Sequence, residues 1–557
     1  MKVNKGICFH ILVFVFLFLI NFSTIFNLAT FHGFAYGDSE VAAFIAYLLN
    51  NGSKLYQDFS IVYGPGRFIS LAFINKLFGV NISVPLFYSY SVLIARVLVP
   101  WAIYWVTYKL LNKDNKYLSL VLGLVAAIIY SLILRSGQDT HLVILLFIGF
   151  YSWSKQNNNK IISVLAGILL GLIGFFRIES GIFALIAVGI TEFINYKKDK
   201  NNSPFYISYL IFQVGYFLLI LINGSLPNFF HDVFLMGVLA QPKIMKIIIK
   251  PVDYPLFEFF MILNIFSVLI AKRDKNKAFL CLAIMSLLGF ANALGRADFD
   301  HLYYGIVLLI PIITIAFYKL IISWESIKKE KISIKVFGLT VLLIGLEVFT
   351  VKRQIPLLLL VLLFCILIGN KWIKKGIGLI SIVMVIVAFQ VMVRSQSLFT
   401  FYFKRQLEVP RIKNINSGFK QMPLYLEEVK NSNYGGYQLD KTNSQTLEQM
   451  RKDLGDKTLF VYPSHASLYQ ALGKQAPIRY LYFNNEYTQK MEEETIEMLL
   501  KEKIEYVLVS NNLTRADAIV PNQTQKIWQF INKNYIKEKE YLFGNDKMML
   551  MKINESL

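Results

Sequence analysis

Apolar runs of roughly 15 to 25 residues, long enough to cross or nearly cross a hydrocarbon core about 30 Å thick, recur from Ile7 to about residue 393 and then stop. The pattern predicts spans at 7–29, 84–110, 117–134, 140–153, 161–176, 180–195, 205–222, 256–271, 278–294, 302–321, 336–350, 355–370 and 377–393. Lys2 and Lys5 precede the first run. From Ile7 to Ala29 that run is too long for an ordinary signal-peptide core, so it reads as a retained signal-anchor. The fold class is a polytopic all-α membrane domain over 1–393, with about 13 transmembrane helices, followed by a soluble α/β domain over 394–557.

The loops fall into two sets. With the N-terminus inside, the cytoplasmic loops contain Lys109 to Lys116, "SKQNNNK", "YKKDKNN", "AKRDKNK", "SWESIKKEKISIK" and "NKWIKK", every one basic, as the positive-inside rule requires. The opposite set gathers acidic residues, His and Arg at the span ends: "LRSGQDTH" (134–141), "FFRIES" (175–180), the stretch 223–255 and "LGRADFDHLYY" (294–304). An odd span number places 394–557 on that outer side. The expected location is a multi-pass protein of the cell membrane, N-terminus cytoplasmic and C-terminal domain extracytoplasmic.

The first outer loop, 30–83, carries periodicity of its own. From Asp38, the positions Val41, Phe44, Ile45, Leu48 and Leu49 trace one helix face, stopped by Asn50-Asn51-Gly52. This predicts a short amphipathic helix lying at the membrane surface, with Asp38 and Glu40 at its positive end, where a carboxylate can cap free N–H groups. A second helix is predicted from Pro65 through Phe68, Ile69, Ala72, Phe73 and Leu77 to Gly79. In the C-terminal region "KTLFVYP" (457–463) and "IEYVLVS" (504–510) read as buried strands, "EYLFGNDKMMLMKI" (540–553) as a hairpin, and 464–472 and 485–502 as helices. No catalytic constellation stands out there, and no site is placed in it.

Composition changes the picture little. The chain is 55% hydrophobic and 17% charged, and its formal charge of +21 is accounted for by the basic loops, so no nucleic-acid partner is expected. Cys8, Cys281 and Cys365 all lie in apolar runs, against a disulfide or a Cys-based metal site. The sequence contains no P-loop, dinucleotide fingerprint, zinc motif or internal repeat.

An acidic residue right after span one, the run "AFIAYLLNNGSKLYQD" (43–58) and a Pro-containing segment ending in "LFG" (77–79) resemble the first outer loop of GT-C superfamily glycosyltransferases. The relatives in question are the protein O-mannosyltransferases and the bacterial lipid A aminoarabinose transferases. "AGILLGLIGFFRIESGIFALI" (166–186) resembles that family's Gly-rich span pair, and the many spans and C-terminal outer domain repeat its layout. The sequence departs from the family in having "DSE" for an adjacent Asp-Glu pair, so Asp38 and Glu40 both stand as candidates, and "YGPGR" for a Pro-rich segment.

The resemblance implies a GT-C fold and an inverting transfer of a sugar from a polyprenyl-phosphate donor to a hydroxyl or amine of a lipid, glycan or protein acceptor. Such chemistry needs a base for the acceptor proton and cations for the departing phosphate. Asp38 is the base by family position, with Glu40 second. For phosphate, Arg177 lies between two apolar runs; Arg67, Arg135, Arg296 and Lys243 follow. Asp58 closes the motif run and joins the substrate-binding candidates, as do Asp298, Asp300 and His301, which can meet sugar hydroxyls or a divalent ion. The pairs His231-Asp232 and Asp139/His141 are weak metal signals; no metal and no cofactor are predicted. Two competitors remain: a lipid or polysaccharide transporter or flippase, expected to carry ionisable groups near mid-membrane or a two-fold span repeat, and a polysaccharide polymerase or ligase, expected to carry its chief polar loop late in the chain.

Overall fold

A computed structural model describes residues 5–26, 38–80, 84–111, 116–133, 137–157, 159–194, 203–222, 225–240, 254–274, 276–294, 305–316, 318, 415–431, 441–463, 465–481, 489–510, 525–543 and 546–554. The helices are α1 (Lys5–Ile25), α2 (Asp38–Asn50), α3 (Gly66–Phe78), α4 (Val84–Leu93), α5 (Val99–Leu111), α6 (Lys116–Ile133), α7 (Asp139–Asn157), α8 (Lys160–Phe176), α9 (Ile178–Ile194), α10 (Ser203–Ile222), α11 (Leu226–Phe229), α12 (Tyr254–Asp274), α13 (Lys277–Leu294) and α14 (Gly305–Ala316). After residue 414 come α15 (Ile415–Asn431), α16 (Lys441–Leu454), α17 (Ser467–Ala471), α18 (Gln489–Lys501) and α19 (Gln525–Asn534), with strands β1 (Leu459–Tyr462), β2 (Tyr506–Ser510), β3 (Tyr535–Phe543) and β4 (Asp546–Ile553).

The predicted spans from 7–29 to 302–321 each coincide with helix; 336–350, 355–370 and 377–393 lie outside the described residues. Among the described residues three helices are long and apolar enough to cross a membrane, Cys8–Ile25, Leu86–Leu111 and Ser203–Ile222, and shorter apolar helices stand beside them.

The second of these is locally unwound into a π-helical turn, Ile94–Leu98. Pro100 causes it: Pro100 has no N–H to return to the Arg96 carbonyl, which accepts instead from Asn21 Nδ2 of α1 at 3.2 Å. The neighbouring Ala95 carbonyl accepts from the Tyr130 hydroxyl of α6 at 2.8 Å. Adjacent helices thus satisfy the backbone groups that the break releases.

The Gly-rich pair α8–α9 packs backbone to backbone. A Cβ at Gly181 would come within 2.5 Å of the Gly174 Cα, so the close crossing requires hydrogen there. At the far ends, Glu192 of α9 binds Lys155 of α7 and Lys277 of α13, each at 2.9 Å, tying three helices together.

The first loop is folded as predicted in its elements but not in its setting. Helix α3 ends at Gly79 in the left-handed region, φ 65°. It buries Phe68 and Ala72 and leaves Phe73, Leu77 and Phe78 exposed, an apolar stripe suited to a membrane surface. Helix α2 does not lie at a surface: Ala42, Ala43, Phe44, Ile45 and Ala46 are all buried. Its Ala-rich side admits the C-terminal domain, whose Tyr469 ring sits 6.4 Å from Phe44, while the other side rests on α3 and α4.

The four strands form one sheet in the order β1-β2-β4-β3, with β1 and β2 parallel and the rest antiparallel. β1 and β2 are buried throughout, matching their unbroken apolar sequence. Helix α15 leaves this domain to lie along α1, where Phe419 stacks near Phe22 at 4.6 Å and the Tyr425 hydroxyl meets Ser89 Oγ at 2.7 Å.

Candidate functional site

The site is built at the end of the helical bundle that carries the first loop and the C-terminal domain. The turn "YGPGR" fixes its floor. A Cβ on Gly64 would stand 2.2 Å from the Phe175 carbonyl oxygen, and one on Gly66 would strike the Phe176 ring at 2.9 Å. Both glycines are therefore what lets the turn press onto the last residues of α8. Tyr56, fully buried with φ 61°, braces it by donating its hydroxyl to the Tyr63 carbonyl at 3.2 Å.

The turn delivers Arg67 in the first helical turn of α3. Its Nε and Nη2 donate to Asp139 Oδ2 and Oδ1 at 3.0 and 2.8 Å, a bidentate pair, and Tyr90 donates to Oδ2 at 3.3 Å. Asp139 opens α7 and is 4% exposed. Arg67, Arg96, Tyr88, Tyr90, Gln138 and Asp139 line a cavity of about 360 Å³, whose remaining wall comes from α4 and the π-helical turn. That size falls within the usual range for small-molecule sites, about 300–1,000 Å³. Among the described residues that line it, two guanidiniums stand with one carboxylate, groups suited to meeting an anion.

Arg177 lies between α8 and α9, with extended backbone (φ −153°, ψ 111°). Its Nε donates to Glu179, and its guanidinium stands 5.5 Å from the Tyr63 ring centroid. Residues two apart do not meet on a helix, and this pair forms because Arg177 is not helical. Arg177 also borders a smaller cavity of about 50 Å³ with Thr140, His141, Ser180 and Asn292. There the His141 Nδ1 accepts from the Gln138 N–H at 3.0 Å.

The two candidate carboxylates stand differently. Asp38 is the first residue of α2. Glu40 is 1% exposed and is taken up by the C-terminal domain: Oε1 accepts from Ser467 Oγ at 2.6 Å and from Ser467 N at 3.0 Å, and Oε2 lies 3.5 Å from His465 Nδ1. On its other side, His465 Nε2 lies 3.5 Å from Asp546 Oδ2 and 3.3 Å from Ser510 Oγ. Burial pulls the imidazole pKa down, but Asp546 and Glu40 outweigh it and hold it up at about 9, so the ring is cationic at neutral pH.

A second charged contact joins the same parts. Arg479 donates Nη1 and Nη2 to Asp232 Oδ2 and Oδ1 at 2.9 and 2.8 Å and also reaches the Tyr56 carbonyl at 3.2 Å, while its own carbonyl accepts from Ser60 N at 2.7 Å. Asp232 is fully buried and meets His231 Nδ1 at 2.9 Å, so this pair is bound up in domain docking.

Of the predicted residues, Arg67 and Arg177 stand beside cavities, and Glu40 is held by the C-terminal domain. Asp58 is exposed and caps its own turn, accepting from Lys54 N at 2.7 Å. Arg135, Lys243, Arg296, Asp298, Asp300 and His301 lie outside the described residues. Arg96 is a cavity-lining residue away from the predicted span ends, and a lone arginine inside the predicted span 84–110 is the signal that marks it. His465, Ser467 and Arg479 carry no such signal, since their partners are hundreds of residues away.

No family model and no curated protein sequence matches the chain. Solved structures do match in shape. The archaeal oligosaccharyltransferase AglB from Archaeoglobus fulgidus, in complex with an inhibitory peptide and a dolichol-phosphate, superposes with TM-score 0.50 at 12% identity, over 98% of this chain and 74% of that one. ArnT from Cupriavidus metallidurans is similar at TM-score 0.49 and 12% identity, over 97% of this chain and 98% of that one when bound to undecaprenyl phosphate, and over 98% of each in the apo state. Over 98% of its length this chain therefore shares its fold with that oligosaccharyltransferase.

Proposed function

We propose that the chain is an integral-membrane glycosyltransferase that moves a sugar, with inversion, from a polyprenyl-phosphate carrier to a hydroxyl or amine acceptor at the outer membrane face. The observation that carries this reading is the cavity of about 360 Å³ that Arg67 and Arg96 line. One wall comes from the apolar 84–110 run, along which a lipid tail would lie, and Arg67 belongs to the same first loop as Asp38. AglB, which shares the fold, was solved with a dolichol-phosphate.

In this reading the carrier's phosphate enters the cavity. Asp139 orients Arg67, and the Arg67 and Arg96 guanidiniums face the phosphate as the bond from the anomeric carbon to phosphate oxygen breaks. Asp38 takes the acceptor proton from the opposite face, as inversion requires. Glu40, with Oε1 bonded twice to Ser467 and Oε2 beside His465, is not the base. Arg177, with the Asp298, Asp300 and His301 segment, remains assigned to substrate contact, and no metal is needed by the step as written.

The test is release of polyprenyl phosphate from a labelled polyprenyl-phosphate sugar by the purified chain in lipid nanodiscs. Turnover that falls at least tenfold in Arg96→Gln supports the reading. Absence of turnover with every carrier tried, together with movement of the labelled lipid between leaflets of vesicles, would establish the transporter instead.

A further inference from the structure

We infer that His465 of the C-terminal domain is a positioning residue for the proposed transfer: through Glu40 it fixes the first turn of α2, the turn that begins at Asp38. The inference rests on the reading of Asp38 as base, and it gives the C-terminal domain a part in the reaction beyond covering the bundle.

A general base has to come within about 2.6–3.2 Å of the proton it takes. Glu40 Oε1 accepts from the Ser467 hydroxyl and amide, Oε2 pairs ionically with the His465 imidazole at 3.5 Å, and the residue is 1% exposed. What it offers the reaction is rigidity. Asp38 lies two residues ahead on the same helical turn, and clamping Glu40 fixes the backbone that carries Asp38.

Charge on both sides, each carboxylate 3.5 Å from the imidazole, holds His465 in the clamp. The charged groups facing the imidazole are Glu40 from α2 and Asp546 from β4, with the Ser510 hydroxyl from β2. His465 holds φ 78°, a left-handed backbone uncommon outside glycine and asparagine, and these contacts sustain it. Two carboxylates and an imidazole are expensive to bury, and the apolar packing around them, such as Phe44 against Tyr469, would join the two parts at lower cost. A charged contact in that position specifies one geometry. It also ties that geometry to protonation, because the cluster keeps its cation only while His465 holds its proton.

The experiment uses the full chain in nanodiscs, comparing wild type with His465→Gln, His465→Ala, Glu40→Gln and the His465→Gln/Glu40→Gln double variant. Hydrogen exchange at the Ser467 amide and along 38–50 reads the clamp independently of activity, and kcat, KM and pH profile read the reaction. Expected in His465→Gln are faster exchange at those amides and a kcat about three- to tenfold lower, with donor KM within about twofold. His465→Ala should fall further, the double variant no further than its worse parent, and the wild-type decline in kcat towards pH 9 should be absent from both His465 variants. Unchanged exchange in His465→Gln would overturn the clamp whatever the activity, and so would a loss confined to KM. Faster exchange with no transfer by wild type from any donor would leave the clamp standing and remove the functional reading on which its role depends.

Discussion

Arg479→Met is the sharpest probe of how the C-terminal domain is held. The substitution keeps much of the aliphatic volume and removes the fork that binds Asp232 at 2.8 and 2.9 Å, leaving a fully buried carboxylate with His231 as its remaining ionic contact. Breaking one side of a buried bidentate pair costs about 3–5 kcal/mol, most of it the penalty on the abandoned charge. Arg479 is 17% exposed, so water reaches its side of the pair and the lower figure applies, about 3 kcal/mol. At about 1.4 kcal/mol per decade, that raises the undocked population about a hundredfold. The amide of Ser60 reports it directly, because it donates to the Arg479 carbonyl across the interface. Its hydrogen exchange should accelerate about a hundredfold in Arg479→Met and return most of the way in the double variant Arg479→Met/Asp232→Leu, where no charge is stranded. Protection at Ser60 within threefold of wild type in the single variant, or a double variant worse than the single, would refute the reasoning.

Other consequences follow from the same geometry. Gly64→Ala forces a methyl to 2.2 Å from the Phe175 carbonyl, so thermal unfolding in detergent should show a loss of about 1–3 kcal/mol with reduced transfer. Arg96→Gln should weaken retention of polyprenyl phosphate about tenfold in a binding assay, and Asp139→Asn should lower both binding and stability because it strands Arg67. For His465, whose folded pKa of about 9 lies above its ordinary 6.5, the stabilising contribution is complete below pH 6.5 and disappears as pH rises through 9. Asp546 belongs to the same domain as His465, so the part of that shift owed to Glu40 is what bears on docking, measurable as a pH-dependent loss of Ser467 amide protection that His465→Gln lacks.

Much of the architecture was legible in the chain because it is local. Apolar runs, the stop at Asn50-Asn51-Gly52, Pro65 ahead of a helix and Gly79 behind it each act over a few residues, and the corresponding helices stand where the pattern puts them. The hairpin was legible too, although β3 begins five residues earlier, at Tyr535, where charged residues hide a solvent-facing strand. Helix α15 was not, because its polar composition and Pro423 mask a face that packs on α1.

The site divides along the same line. Arg67 could be placed in a first helical turn, but its partner Asp139 is 72 residues away, and nothing in "YGPGR" announces it. The burial of Glu40 against the C-terminal domain could not be read from "DSE", because Ser467 lies 427 residues further on. The burial of α2 was hidden for the same reason: its alanines carry no signal of their own, and only the arriving domain gives them something to touch.

The most direct test of the central claim is the rate of sugar transfer from a labelled polyprenyl-phosphate donor by Asp38→Asn and Glu40→Gln in parallel. The account predicts that Asp38→Asn loses at least about a hundredfold, the usual contribution of a general base. Glu40→Gln, which keeps an oxygen to accept from Ser467, should stay within about tenfold of wild type. Full activity in Asp38→Asn with near-complete loss in Glu40→Gln would contradict it.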